Sequence, residues 1–123
     1  WEVIARICEV EALTSGVVAD VGAPATTDGV RYNCRVFIVD GKLAFVRPNR
    51  ALADDGNYRE SRWFTAWTKT NVVETFEVPK CCEKYATGKG GTVPFGDGAL
   101  AFEDTRLGCH KEFLSDYFLL LDC

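Results

Sequence analysis

The most distinctive chemistry in this 123-residue sequence belongs to six cysteines and a single histidine, His110. A thiolate is both a nucleophile and a metal ligand, so the spacing of these residues decides what they can do. The sequence has no CxxC pair, and His110 has only Cys109 beside it, which predicts no zinc or other metal site. Cys81 and Cys82 are adjacent and awkward to bridge, and Cys34 lies in an apolar strand pattern. The spacing therefore favours reduced intracellular thiols over the disulfide framework of a small secreted protein.

The charge and hydropathy of the sequence argue against several classes of partner. The formal net charge is -4, and the basic residues are scattered, so we expect neither nucleic acid nor anionic lipid to bind. No stretch approaches the roughly 20 apolar residues that a membrane helix needs. With 47% hydrophobic residues the chain can bury a core, and we expect a soluble, cytoplasmic protein without membrane contact.

The first third of the sequence contains three recognisable elements. Apolar residues recur at helical spacing from Trp1 to about Leu13, and Val17 to Val21 reads as a short buried strand. Arg31 to Val39 and Lys42 to Val46 are β-rich runs joined by Asp40-Gly41. An Asp-Gly pair readily supplies the positive φ angles of a tight turn, so these runs predict a β-hairpin.

The first strand of the predicted hairpin is apolar on both faces. Successive side chains of a strand alternate in direction, so one face has Cys34, Val36 and Ile38, and the other has Arg35, Phe37 and Val39. Apolar residues on both faces are typical of a sheet that is covered on both sides. The sequence therefore predicts a layered α/β domain.

A segment rich in aromatic and charged residues follows the hairpin. Turn signals run from Pro48 to Asn57, and bulky residues then crowd between Tyr58 and Trp67. The segment is interpreted either as a buried corner that wedges the connection against the core or as the wall of a pocket. Composition alone slightly favours the corner.

The remaining elements are weaker. Val72 to Val78 is predicted as a strand, and Thr92 to Phe95 and Leu100 to Phe102 as two short extended pieces. Periodicity leaves Glu112 to Leu121 open between helix and strand. The sequence lacks an initiating methionine, and its last residues are apolar, whereas exposed termini are usually polar. We therefore expect residues 1–123 to be a single incomplete domain.

Several motifs from Arg31 onward occur together and in a fixed order. They are RYNCR at residues 31–35, Arg47-Pro48, ALADDGNYRE at 51–60, RWFTAW at 62–67, and TVPFG at 92–96 followed by Asp104-Thr105. GNYRE and RWFTAW are long and rare in composition, so chance is a poor explanation. In this order the motifs resemble the nitrilase-like (carbon-nitrogen hydrolase) glutaminase domain of eukaryotic-type glutamine-dependent NAD synthetases, as far as about Leu107.

The resemblance implies a fold and a reaction. The fold is a partial αββα sandwich of the nitrilase type, with the β-hairpin at Arg31 to Val46. In such a domain a glutamate takes the proton of a cysteine thiol, the thiolate attacks the side-chain amide of glutamine, and a lysine stabilises the oxyanion. The ammonia then passes to a separate domain, with ATP and Mg²⁺, that amidates nicotinic acid adenine dinucleotide to NAD. The implied partners are glutamine and that synthetase domain, in a homo-oligomeric parent protein, with no cofactor in this chain.

Two reacting groups of the family fall on positions of this sequence, and both positions depart from the pattern. The family's lysine follows Arg-Pro directly, and Asn49 stands there. Counted without gaps from Asp104-Thr105, the family's cysteine position is Glu112, and Cys109, slightly earlier, is a displaced candidate nucleophile. The alternative for Cys109 is a buried small thiol. The general-base glutamate is expected upstream of Trp1.

Two further positions match residues near the substrate in the family. Tyr58 is expected to line the glutamine pocket, and Glu60 to be the second carboxylate that orients the lysine. Without that lysine, the alternative role of Glu60 is to pair with Arg59 or Arg62. Loss of one preorganised oxyanion contact costs on the order of 3 to 4 kcal/mol in kcat, so we expect the isolated chain to be inactive.

Two hypotheses follow from these departures. In the first, the chain is a fragment of a glutamine-hydrolysing NAD synthetase. In the second, it is a degenerate, non-catalytic binding module of the nitrilase fold that has kept its pocket aromatics. Release of glutamate from glutamine by the purified chain would eliminate the second.

Overall fold

A computed structural model describes residues 1–98, 100–104 and 109–113, and describes side chains within 1–98. One α-helix, α1 (Glu2–Glu9), is accompanied by 3-10 helices at Glu11–Leu13, Glu60–Arg62 and Lys80–Tyr85. The strands are β1 (Val18–Thr27), β2 (Val30–Val39), β3 (Lys42–Pro48), β4 (Val73–Glu77), β5 (Thr92–Gly96), β6 (Leu100–Asp104) and β7 (Cys109–Phe113).

The strands form one five-stranded sheet in the order β1-β2-β3-β5-β4 and a two-stranded sheet of β6 and β7. β3 and β5 are parallel, and the other neighbouring strands are antiparallel. The predicted mixed α/β class is therefore confirmed. The full αββα arrangement stays an expectation, since the described residues contain one α-helix beside the larger sheet.

Two tight hairpins hold β1, β2 and β3 together. The predicted hairpin is confirmed: β2 and β3 pair across Asp40-Gly41, whose φ angles are 47° and 72°. A second hairpin, which we did not predict, joins β1 to β2 through Asp28-Gly29 with φ angles of 51° and 75°. Both turns use the Asp-Gly pair that two-residue hairpin loops favour, so the same signal would have found both.

The first strand is longer and more exposed than predicted. We expected a short buried strand at Val17 to Val21, but β1 continues to Thr27, and its buried residues are Ala23 and Ala25. β1 lies at the edge of the sheet, where a residue without an N–H group is tolerated, which accounts for Pro24 within it. Gly22 and Pro24, which made this strand difficult to recognise in the sequence, are compatible with an edge position.

Helix α1 packs on the sheet and is tied to the turn between β2 and β3. It buries Ile4 and Cys8 in the core and ends at Glu9, and the 3-10 turn Glu11–Leu13 occupies the rest of the predicted helix. Thr14 is fully buried, and its hydroxyl accepts a hydrogen bond from the Gly41 amide at 2.7 Å. The end of the helical segment therefore fixes the tip of the hairpin.

Both faces of the hairpin are covered, as predicted. Cys34, Val36 and Ile38 belong to the core that includes α1. On the other face Phe37 is 1% exposed and lies opposite Phe45 in the register.

The later elements agree with the sequence where the structure describes them. The predicted strands at Val72 to Val78, Thr92 to Phe95 and Leu100 to Phe102 correspond to β4, β5 and β6. Residues 112 and 113 belong to β7, and the rest of the undecided segment Glu112 to Leu121 lies outside the described residues.

Candidate functional site

Asn33, in β2, connects two parts of the long segment that follows β3. Its carbonyl accepts the amide of Asn49 at 2.8 Å, and its side-chain amide donates to the Glu60 carboxylate at 3.0 Å. The carbonyl of Asn49 in turn accepts the amide of Trp67 at 3.0 Å. Position 49 and Glu60, which the resemblance assigns to one site, thus share Asn33 as a neighbour.

The Glu60 carboxylate is held by neutral hydrogen-bond donors. One oxygen accepts from Asn33 and the other from the Ala53 amide at 2.7 Å. The suggested pairing with Arg59 or Arg62 is not what the structure shows, because the Arg59 guanidinium is turned toward the backbone carbonyls of the same loop. Two donors, one to each oxygen, hold the carboxylate in place.

Arg50, the residue after Asn49, has polar partners of its own. Its guanidinium lies 3.4 Å from a carboxylate oxygen of Asp97 and 3.5 Å from the hydroxyl of Thr70. Asn49, one residue earlier, is half-buried directly after the end of β3. That Asn49, which carries no charge, stands at the family's lysine position stays a prediction.

The bulky residues of the aromatic segment do not all fit the same interpretation, since some are buried as in a corner of the core and others are exposed. Trp67 is 2% exposed and packs edge-on against Phe95, with ring centroids 5.4 Å apart, so it is a buried corner residue. Tyr58 and Trp63 are 68% and 66% exposed. The Tyr58 side chain is therefore open to solvent, and its role in lining a glutamine pocket stays a prediction.

An open groove of about 610 Å³ lies beside this segment. Its aromatic wall is formed by Trp1, Trp63, Phe64 and Phe76, and Arg31 and Glu77 add charges. Asn49, Tyr58 and Glu60 do not line it, so the groove and the Asn33 contacts are separate features.

The two candidates for the nucleophile position, Cys109 and Glu112, lie in β7. Their Cα partners in β6 are Asp104 and Ala101, respectively. The placement of their side chains relative to Asn49 lies outside the described part of the chain, so their proposed roles stay predictions.

The buried thiols are poor nucleophiles. Burial raises the pKa of Cys34 to about 12, although a backbone hydrogen bond from Ala25 partly opposes the shift. Burial, followed by the neighbouring Cys81 thiol, raises the pKa of Cys82 to about 12. Because the thiolate is the reactive form, neither residue has the chemistry of a catalytic cysteine near neutral pH. Cys34 is adjacent to Asn33 in the chain and is nonetheless inert.

Sequence reasoning missed Asn33 as a member of this site. The residue lies within the RYNCR motif, but nothing in its spacing indicates a partner so far along the chain.

Within the described residues, no group of three or more histidine, cysteine, aspartate or glutamate side chains is arranged to hold a metal ion. No helix in the described part is long and apolar enough to cross a membrane.

No protein-family model matches the chain. Among curated proteins, it is 44% identical over 108 residues to the glutamine-dependent NAD(+) synthetase of Drosophila melanogaster. The identities over 108 residues to the synthetases of Saccharomyces cerevisiae and Homo sapiens are 45% and 41%. These alignments cover 88% of this chain, which spans 13 to 15% of the length of these relatives.

Two solved structures to which this chain is similar are also glutamine-dependent NAD(+) synthetases. A glutamine-dependent NAD(+) synthetase from Cytophaga hutchinsonii superposes with a TM-score of 0.62 at 27% identity, covering 81% of this chain and 15% of that one. The enzyme from Acinetobacter baumannii, solved with ADP, has a TM-score of 0.50 at 21% identity over 90% of this chain and 15% of its own, and supports the fold alone. The predicted resemblance is confirmed: over most of its length the chain is similar to a segment of glutamine-dependent NAD(+) synthetases.

Proposed function

We propose that this chain is a segment of the glutaminase part of a glutamine-dependent NAD synthetase and forms one wall of the pocket in which the glutamine side-chain amide is hydrolysed. The observation that carries the proposal is the pair of Asn33 contacts, to the amide of Asn49 and to the Glu60 carboxylate. Asn49 and Glu60, the proposed counterparts of the family's lysine and of its orienting carboxylate, share Asn33 as a partner, and this supports the proposal. In the whole protein, the ammonia feeds an ATP- and Mg²⁺-dependent amidation that yields NAD.

Position 49 decides whether this wall can support the reaction. A lysine there would place an ammonium group, oriented by Glu60, beside the oxyanion that forms when a thiolate attacks the amide. Asn49 offers a neutral hydrogen-bond donor instead. The Asn33 and Ala53 donors keep Glu60 in place without a lysine, so the wall keeps its shape while it lacks the charge.

The chain alone is proposed to be inactive. Its general-base glutamate is expected outside this sequence, and the thiols of Cys34 and Cys82 are buried and protonated near neutral pH. The relatives described above give no sign of the alternative, a non-catalytic binding module. Glutamine, the synthetase domain and a homo-oligomeric, cytoplasmic parent remain part of the proposal.

A chimera tests the proposal. Residues 31–67 of this chain replace the matched segment of the Saccharomyces cerevisiae synthetase, which then supplies the remaining catalytic groups. NAD formation is measured with glutamine and, separately, with ammonia as the nitrogen source. We expect glutamine-dependent activity to fall on the order of 10²- to 10³-fold relative to the parent enzyme, with ammonia-dependent activity retained.

The matched variants are Asn49→Lys and Arg50→Lys in that chimera. Asn49→Lys is expected to restore glutamine-dependent NAD formation, whereas Arg50→Lys is not, because Arg50 is directed toward Asp97 and Thr70. If ammonia-dependent activity shows a folded enzyme and Asn49→Lys restores nothing, position 49 does not face the amide and the proposal is wrong.

A further inference from the structure

Two adjacent thiols in the 3-10 helix Lys80–Tyr85 have no part in the proposed site. The Sγ atoms of Cys81 and Cys82 lie 3.9 Å apart, and both cysteines are free thiols. Cys81 is exposed, whereas Cys82 is fully buried, with its Sγ 3.5 Å from the Trp1 carbonyl. One sulfur at the surface is thus in contact with a second sulfur in the interior.

We propose that Cys81 and Cys82 form a dithiol site for a monosubstituted trivalent arsenical, an acceptor that takes two thiolates and needs no other protein ligand. The two sulfurs need only a small movement to bind one atom between them. Arsenic–sulfur bonds resemble zinc–sulfur bonds in length, about 2.3 Å, and the S–As–S angle at pyramidal As(III) is about 90 to 105°, so the bound sulfurs lie about 3.3 to 3.6 Å apart. The observed spacing of 3.9 Å is slightly longer, and rotation of the exposed Cys81 side chain can close the difference.

Two other uses of the pair fit the structure less well. A disulfide normally joins Cα atoms about 4.4 to 6.8 Å apart, whereas adjacent residues in a trans chain have Cα atoms about 3.8 Å apart. A structural zinc ion takes four ligands, and the described residues contain no group of even three suitable side chains. An acceptor that is satisfied by two sulfurs avoids both difficulties.

The capture step balances without an oxidant or a reductant. The hydrated arsenical carries one organic group and two hydroxyl groups on As(III). Each thiol replaces one hydroxyl, so two As–O bonds break and two As–S bonds form. The two thiol protons leave with the two hydroxyl groups as water, and arsenic and sulfur keep their oxidation states.

The arrangement favours an ordered capture. The exposed Cys81 reacts first, and the arsenic atom is then held beside Cys82, so the second bond forms within one complex at a high effective concentration. Burial, and then the Cys81 thiol, raises the pKa of Cys82 to about 12, so a reagent that needs one free thiolate reacts slowly with Cys82 alone. Retention of the arsenical therefore requires both sulfurs.

Phenylarsine oxide, added to the full 123-residue chain, tests the site. We expect one phenylarsenic group per chain by native mass spectrometry, retained in excess glutathione and removed by a small dithiol. Digestion should place it on the peptide that contains both Cys81 and Cys82. Cys81→Ser changes an exposed residue and should lower retention in glutathione about 100-fold or more.

A matched variant separates this site from other thiols. Cys34→Ala removes a buried thiol of β2 and should leave retention unchanged. If Cys81→Ser still holds the arsenical in glutathione, or if the label maps to a different pair of cysteines, the proposal is overturned. Cys82→Ala should also lower retention of the arsenical in glutathione, and circular dichroism shows whether this variant is folded.

Discussion

The side-chain amide of Asn33 lies 3.0 Å from the carboxylate of Glu60, although 27 positions separate the two residues in the chain. The carbonyl of the same asparagine accepts the backbone amide of Asn49. One residue of β2 therefore sets where position 49 lies relative to the carboxylate. The long segment after β3 is held by this junction and by the backbone bond from Thr65 to Arg31.

Replacement of Asn33 is expected to loosen this junction. In Asn33→Ala the partly buried Glu60 carboxylate loses one of its donors, and we expect the free energy of unfolding to fall by about 1 to 2 kcal/mol. Urea unfolding measures the change. Asn57→Ala, an exposed position in the same segment, should stay within about 0.5 kcal/mol of the parent. Equal effects of the two substitutions would contradict the assigned role of Asn33.

The two hairpin glycines should respond differently to alanine. Gly41 has φ of 72°, and an added Cβ would lie 2.9 Å from the Cys8 carbonyl, whereas Gly29 has φ of 75° and nothing within 4 Å. Gly29→Ala therefore carries only the cost of left-handed backbone, roughly 1 to 2 kcal/mol. Gly41→Ala should cost more, because the turn must also move away from α1. Thermal unfolding of both variants checks this, and a larger effect at Gly29 would show that α1 does not pack on the turn.

The two tryptophans test which interpretation of the aromatic segment applies. Trp67 is buried in the core, and its truncation in Trp67→Ala should cost about 3 to 5 kcal/mol. Trp63 is 66% exposed and lines the open groove, so Trp63→Ala should change stability by about 0.5 kcal/mol or less. Chemical denaturation followed by circular dichroism measures both. A large loss of stability in Trp63→Ala would show that Trp63 also packs in the buried corner.

The buried thiols predict a loss of stability in alkali. Burial raises the pKa of Cys34 from 9.0 to about 12, so above pH 9 the thiol keeps its proton in the folded chain and loses it in the unfolded chain. Unfolding then releases a proton, and this contribution to stability is complete below pH 9 and lost as pH rises toward 12. The slope is at most about 1.4 kcal/mol per pH unit for each such thiol.

The experiment compares unfolding of the parent, Cys34→Ala and Asn57→Ala at several pH values between neutrality and about pH 10. Other groups that titrate in this range contribute to all three chains alike. Cys34→Ala should show a shallower decline with pH than the parent, and Asn57→Ala, which removes no titratable group from an exposed position, the same decline. Parallel curves for all three would mean that Cys34 is not protected by burial.

Local signals in the sequence determined the parts of the fold that depend on neighbouring residues. An Asp-Gly pair between two β-rich runs specifies a hairpin because the turn needs positive φ angles, and the same signal at Asp28-Gly29 went unused. The strand containing Gly22 and Pro24 was shortened in the prediction, because edge position is a property of the sheet and not of the segment.

Local patterns were enough to predict the hairpin, the mixed α/β class and, through the ordered motifs, the family that the chain resembles. The folded chain was needed to show that Asn33 joins Asn49 to Glu60, that Trp67 is buried while Trp63 is exposed, and that Cys81 and Cys82 present one outer and one inner thiol. Turns and strands follow from local backbone preferences, whereas burial and long-range hydrogen bonds depend on which distant segments fold against each other.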